Sequence, residues 1–155
     1  DSIQIYEAMV KTGNDVLDTI LTEKSLACKE NNIVVSCVAD GKGLEFLHPI
    51  DLYTIFGNAM DNAIECVKNL QKQEKRQIDV LIHRQHQFLI VQIMNPVEEE
   101  LEFEDNLPVT TKHDKAYHGY GLRSIKNSVK KYNGVFQVKI KDGCFCLKIL
   151  FPIKE

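Results

Sequence analysis

Two regions of this chain place strand-like runs on either side of a tight turn, and that pattern leaves few folds open. QIDVLIHR (77–84) and FLIVQIMN (88–95) are joined tightly through His86-Gln87, and VFQVKI (135–140) meets CFCLKILF (144–151) across Lys141-Asp142-Gly143. Successive side chains of a strand point to opposite faces, so each pair reads as an antiparallel hairpin with a face to bury. That face needs a second layer, and the rest of the sequence offers helices for it.

Thr12-Gly13-Asn14-Asp15 combines a helix breaker with capping residues. The helix that follows spaces Leu17, Ile20, Leu21, Lys24, Ala27 and Cys28 by three and four and stops at Asn31-Asn32. Pro49 suits the first turn of another helix, running to about Leu70. A third spans about 121–132, with Leu122, Ile125, Val129 and Tyr132 on one face and Asn133-Gly134 as its C-cap. IVVSCVA (33–39) reads as a strand, Gly41-Lys42-Gly43 as a turn and LEFL (44–47) as a short strand; residues 2–11 read as a helix too short to stand alone. Residues 96–118 show no periodicity. An irregular connection of that length exceeds the ~12–15 residues usual inside a domain and reads as a lid or binding loop. The order helix, strand, helix, hairpin, lid, helix, hairpin predicts an α+β two-layer sandwich with a mixed, mainly antiparallel sheet.

At 155 residues the chain suits one domain with a sizeable core. A net charge of −3 and the lack of a basic run argue against a nucleic-acid partner. Five cysteines without a CxxC suggest reduced thiols in a cytoplasmic setting. Cys144 and Cys146 share a strand face, which favours core packing over metal ligation. No apolar run reaches the ~18 residues that would span a bilayer. The chain opens on Asp1 rather than Met and is expected to be part of a longer protein.

FGNAMDNAIEC (56–66) is the stretch with chemistry in it. On a helical wheel, Leu52, Ile55, Phe56, Ala59, Ala63, Val67 and Leu70 form an apolar stripe. Asn58, Asn62, Glu65 and Asn69 form a polar seam beside it, next to Asp61. A solvated face is the commonest fate of such residues, but it usually carries Lys and Glu, the better helix formers. Asparagines among small alanines leave room for a ligand. Further on, HGYGL (118–122) puts Gly119 and Gly121 at the expected helix start, where backbone N–H groups can approach a phosphate. Lys112, His118 and Arg123 add donors.

These parts in this order resemble the GHKL superfamily, whose members bind ATP in a Bergerat fold. LYTIFGNAMDNAIECV looks like the N-box and HGYGL like the second glycine box, with the lid between them. The similarity covers about residues 14–153 and is closest to the catalytic domain of AgrC-type sensor histidine kinases. It implies that Asn62 coordinates Mg²⁺ bridging the ATP phosphates and that Asn58 contacts phosphate or metal-bound water. It further implies that Lys112 reaches the phosphates from the lid. Gly119 and Gly121 would cradle phosphate, with His118 and Leu122 completing that part of the nucleotide site. The pattern departs twice. The usual Asp-x-Gly-x-Gly box is replaced by IMNPVEEE, leaving Asn95 to accept from the adenine amino group. The glutamate that serves ATP-hydrolysing members as base is Asn58 here, and an amide cannot take the proton.

The resemblance therefore implies a kinase rather than a hydrolase, with its acceptor histidine upstream. Residues 1–13 are then the tail of a dimerisation and phosphoacceptor helix, and 14–155 the ATP-binding domain, with its lid at about 96–118. The implied parent is a homodimeric integral membrane sensor, with this domain in the cytoplasm and a response regulator as its partner. Two other readings stay open: a non-catalytic GHKL interaction module, and a serine kinase of the anti-sigma type.

Overall fold

The computed structural model describes the backbone of residues 2–5, 11–98, 103–104, 107–108 and 115–154, and the side chains of residues 11–98 and 120–154. Helices pack on a mixed sheet. Strands β1 (Ser2–Ile5), β2 (Val34–Ala39), β3 (Gln77–Gln85), β4 (Phe88–Pro96), β7 (Val135–Lys141) and β8 (Cys144–Pro152) form one six-stranded sheet in the order β1-β2-β3-β4-β8-β7. Both predicted hairpins are present, with Asp79↔Met94 and Gln85↔Phe88 in the first and Lys141↔Cys144 in the second. β4 and β8 join them antiparallel, and the β2–β3 pair is parallel. β5 (Phe103–Glu104) and β6 (Leu107–Pro108) pair separately, within the stretch expected to be irregular.

Alternation assigns one sheet face to the core. Ile78, Val80 and Ile82 of β3, Leu89, Val91 and Ile93 of β4, and Phe145, Leu147, Ile149 and Phe151 of β8 are buried. Helix α1 (Asp15–Glu30) covers this face with Leu17, Ile20 and Leu21. Its cap is as expected: the Asn14 side chain accepts from the Leu17 N–H at 3.0 Å. The long helix opened by Pro49 runs as α2 (Pro49–Leu52), a π-helical turn (Tyr53–Gly57) and α3 (Asn58–Val67), burying Leu52, Ile55, Phe56, Ala59, Ala63 and Val67. A π turn widens the helix by one residue and recurs at functional sites. Here it ends immediately before Asn58. The last helix, α4 (Lys115–Lys130), buries Leu122, Ile125 and Val129.

Four expectations are corrected. Cys144 is exposed and Cys146 half-buried, because alternation along β8 gives the core face to Phe145 and Leu147 instead. Ser2–Ile5 is a strand paired with β2 rather than the start of a helix, because the edge of β2 offers its backbone partners. LEFL is not a strand: a 3₁₀ turn occupies Gly41–Leu44, and Leu44 and Leu47 are buried instead. Helix α4 begins at Lys115, so His118, Gly119, Gly121 and Leu122 lie inside the helix rather than at its start. Among the described residues no helix is long and apolar enough to cross a membrane.

Candidate functional site

The polar seam of the long helix is graded by its surroundings. Asn62 is only 7% exposed, Asn58 and Glu65 are half-buried, and Asn69 faces solvent. Flanking charges are tied off, Asp61 to Lys24 of α1 at 2.8 Å and Glu65 to Lys68 at 2.7 Å. The Asn62 amide has no such partner among the described residues. Asparagine is a mediocre helix former, and its amide is costly to bury without partners.

Asn58 stands one turn before Asn62, and its amide is already oriented. Its Nδ2 donates to the Thr54 carbonyl at 2.7 Å, a bond from α3 back into the π turn. Its Oδ1 is therefore turned towards α4, where a Cβ placed on Gly121 would lie 3.1 Å from that oxygen. The glycine lets the α4 backbone come up against the asparagine, so the two sequence constellations meet at this contact. Gly121 thus serves by lacking a side chain rather than by opening a helix. With the helix beginning at Lys115, its unpaired first-turn N–H groups belong to residues before Gly119.

Asn95 belongs to the sheet layer, in β4. It is 2% exposed, on the helix-facing row of β4, next inward from Ile93 and opposite Phe145 of β8. Its Nδ2 donates to the Pro96 carbonyl at 3.0 Å, while its Oδ1 is buried with no hydrogen-bond partner. That leaves one unpaired acceptor of the kind an exocyclic amino group would fill. Sequence reading missed the neighbour of this amide, Cys66 of α3, one turn beyond Asn62. Burial pushes the Cys66 thiol up to about 11, against a smaller opposing effect of its hydrogen bond with Asn95. The thiol is therefore neutral and packs as a small apolar group. Only its spacing of four from Asn62 could have placed it.

The structure thus brings Asn58 against Gly121, with Asn62 one turn further along α3, Leu122 buried next to Gly121 in the chain, and Asn95 of β4 beside Cys66 of α3. His118 and Gly119 lie on the same helix, and their side chains are outside the described residues. Lys112 also lies outside the described residues, as does most of the expected lid. No group of three or more His, Cys, Asp or Glu that could hold a metal ion occurs among the described residues. A cation here would be met by amide oxygens, a hard donor set that suits Mg²⁺ when waters and phosphates complete its shell.

A family model described as a GHKL domain matches residues 47–152, which include Asn58, Asn62, Asn95 and Gly121. The chain is similar in structure to the Acinetobacter baumannii histidine kinase AdeS, with a TM-score of 0.62 and 13% identity over 91% of this chain. It spans 64% of the length of that kinase chain. It is also similar to the catalytic domain of the histidine kinase ThkA in nucleotide-free form, with a TM-score of 0.64 and 12% identity over 98% of this chain and 95% of the other. A second nucleotide-free ThkA structure gives 0.62 and 14%. At these identities the likeness is one of fold. No curated protein matches the chain.

Proposed function

The chain belongs to the GHKL domain family, and from that premise we propose that it is the ATP-binding catalytic domain of a sensor histidine kinase. The observation that carries this reading is the Asn58–Gly121 contact, with Asn62 one turn away and Asn95 presenting an unpaired buried acceptor. In this reading Asn62 holds Mg²⁺ through its amide oxygen, and Asn58 orders the phosphates or the metal's water. Asn95 accepts from the adenine amino group, and Lys112, His118, Gly119 and Leu122 complete the phosphate side. Bound Mg²⁺ would neutralise charge on the phosphates, where most of the work of phosphoryl transfer is positioning and charge compensation. Asn58 offers no base for activating water, so the γ-phosphoryl group is handed to a histidine of an upstream helical domain rather than hydrolysed.

The further identity proposed is an AgrC-type kinase. Its parent would be a homodimeric membrane sensor that answers an extracellular signal of the quorum-sensing kind and passes phosphate to a response regulator. IMNPVEEE in place of a glycine-rich box favours one alternative, an interaction module of the same fold that does not turn over nucleotide.

The test supplies γ-labelled ATP, Mg²⁺ and the parent's histidine-bearing hairpin in trans. Acid-labile label is expected on the hairpin, and Asn62→Ala is expected to remove it together with Mg²⁺-dependent nucleotide binding. Label that persists in Asn62→Ala would sink the role given to Asn62. An unaltered chain that binds no nucleotide at millimolar concentration would favour the interaction module.

A further inference from the structure

The contact between Asn58 and Gly121 links the long helix to α4, and a second link joins that helix to the residues just past α4. The second lies at the opposite end and involves no residue of the nucleotide motifs. Asp51, in the first turn of α2, is 6% exposed. One of its carboxylate oxygens accepts from Lys131 Nζ at 2.9 Å and the other from the Tyr132 hydroxyl. That hydroxyl in turn accepts from the His48 backbone N–H at 3.0 Å, and His48 Nδ1 accepts from the Ile50 N–H at 3.2 Å. The Tyr132 ring stands edge-on to Phe46 and Phe151, with centroids 5.9 and 6.1 Å away. The residues just past α4 are thus bonded to the residues that start the N-box helix.

Between these points the helices run antiparallel: the chain advances from Asp51 to Asn58 as α4 is retraced from Tyr132 to Gly121. Two helices joined at both ends have one axial register. A slip at the Tyr132 end is carried to Gly121, where the clearance to Asn58 is already small. Packed interiors transmit such displacements rather than absorb them.

Resting on the nucleotide-binding reading above, we infer that Asp51 and Tyr132 are positioning residues for the nucleotide site. They hold α4 at the height where Gly121 meets Asn58, and so set the geometry around Asn62 without touching the ligand. Binding geometry is sensitive to shifts well under 1 Å, so the effect falls on affinity as well as on stability.

Tyr132→Phe keeps the ring among Phe46 and Phe151 and removes only the hydroxyl. Asp51→Asn keeps the shape and removes the charge. Lys131→Met leaves the tyrosine bond in place. The unaltered chain and each variant are titrated with trinitrophenyl-ATP and Mg²⁺ well below their melting temperatures. Affinity is then expressed per folded molecule.

Tyr132→Phe and Asp51→Asn are expected to weaken binding about tenfold, in line with loss of one charge-assisted hydrogen bond, and Lys131→Met less. In an Asn58→Ala background, which removes the far contact, Tyr132→Phe is expected to add little. Loss of melting temperature with unchanged affinity would mean a merely structural cluster and overturn the inference. So would full additivity with Asn58→Ala. If Tyr132→Phe does not fold, Asp51→Asn and Lys131→Met decide by the same comparison. No binding by the unaltered chain would overturn the nucleotide reading first, and this inference with it.

Discussion

Asn95 stands in a row of the sheet that is otherwise built from Val80, Ile82, Val91, Ile93 and Phe145. Strand alternation placed its side chain towards the helices, and no local signal distinguished it from a core position. An amide there, with one oxygen unpaired, supports the place proposed for Asn95 in the nucleotide site. Gly121 is its counterpart on α4. Glycine in a helix interior costs about 1 kcal/mol relative to alanine. Gly121→Ala is therefore expected to leave the melting temperature unchanged or slightly higher, with Asn58 yielding by a few tenths of an ångström. Mg²⁺-nucleotide binding is expected to fall about tenfold. Parallel thermal melts and nucleotide titrations check this, and a fall in both would show that the glycine is needed for packing instead.

At the scale of elements, the helices and hairpins followed their apolar periods. The exceptions have separate causes. HGYGL reads as a helix start after an irregular connection, yet α4 runs through both glycines, one of which makes a close helix–helix approach possible. The end of α4 was expected at Asn133-Gly134, and the two residues divide the work differently from a glycine cap. Asn133 takes the left-handed conformation at φ 58°, which asparagine tolerates. Gly134 instead makes room for packing: a Cβ there would lie 2.7 Å from Val129 Cγ1 and 3.0 Å from the Leu150 carbonyl oxygen. Gly134→Ala is accordingly expected to destabilise the fold by about 1–3 kcal/mol, the usual range for overpacking. Its urea midpoint should fall while the slope is retained.

For the whole molecule, two sets of groups bound the pH range of stability. The Tyr132 hydrogen bond, with Lys131, holds the Asp51 carboxyl below its ordinary value against the opposing effect of burial. Its contribution is therefore complete above the ordinary carboxylate range, near pH 4, and is lost as pH falls through the lower folded value. Burial pushes the thiols of Cys28, Cys37 and Cys66 from 9.0 up to about 11. Their contribution is complete below pH 9.0 and is lost as pH rises towards 11. Urea midpoints measured against pH should be flat between these limits as far as these groups decide it. Asp51→Asn should lower the plateau and flatten the acid limb, leaving the alkaline limb in place. An acid limb unchanged in that variant would show that other carboxylates control it.

Spacing along the chain was enough for the two layers, the hairpins and the polar seam of the long helix, because helices and strands repeat side-chain direction at fixed periods. Tertiary structure alone decided the parallel β2–β3 pair, the β1 strand, the meeting of Asn58 with Gly121, the unpaired oxygen of Asn95 beside Cys66, and the Asp51–Tyr132 link. These join residues distant in the chain. Which distant groups meet is set by how the two layers close on each other, and no local period records that.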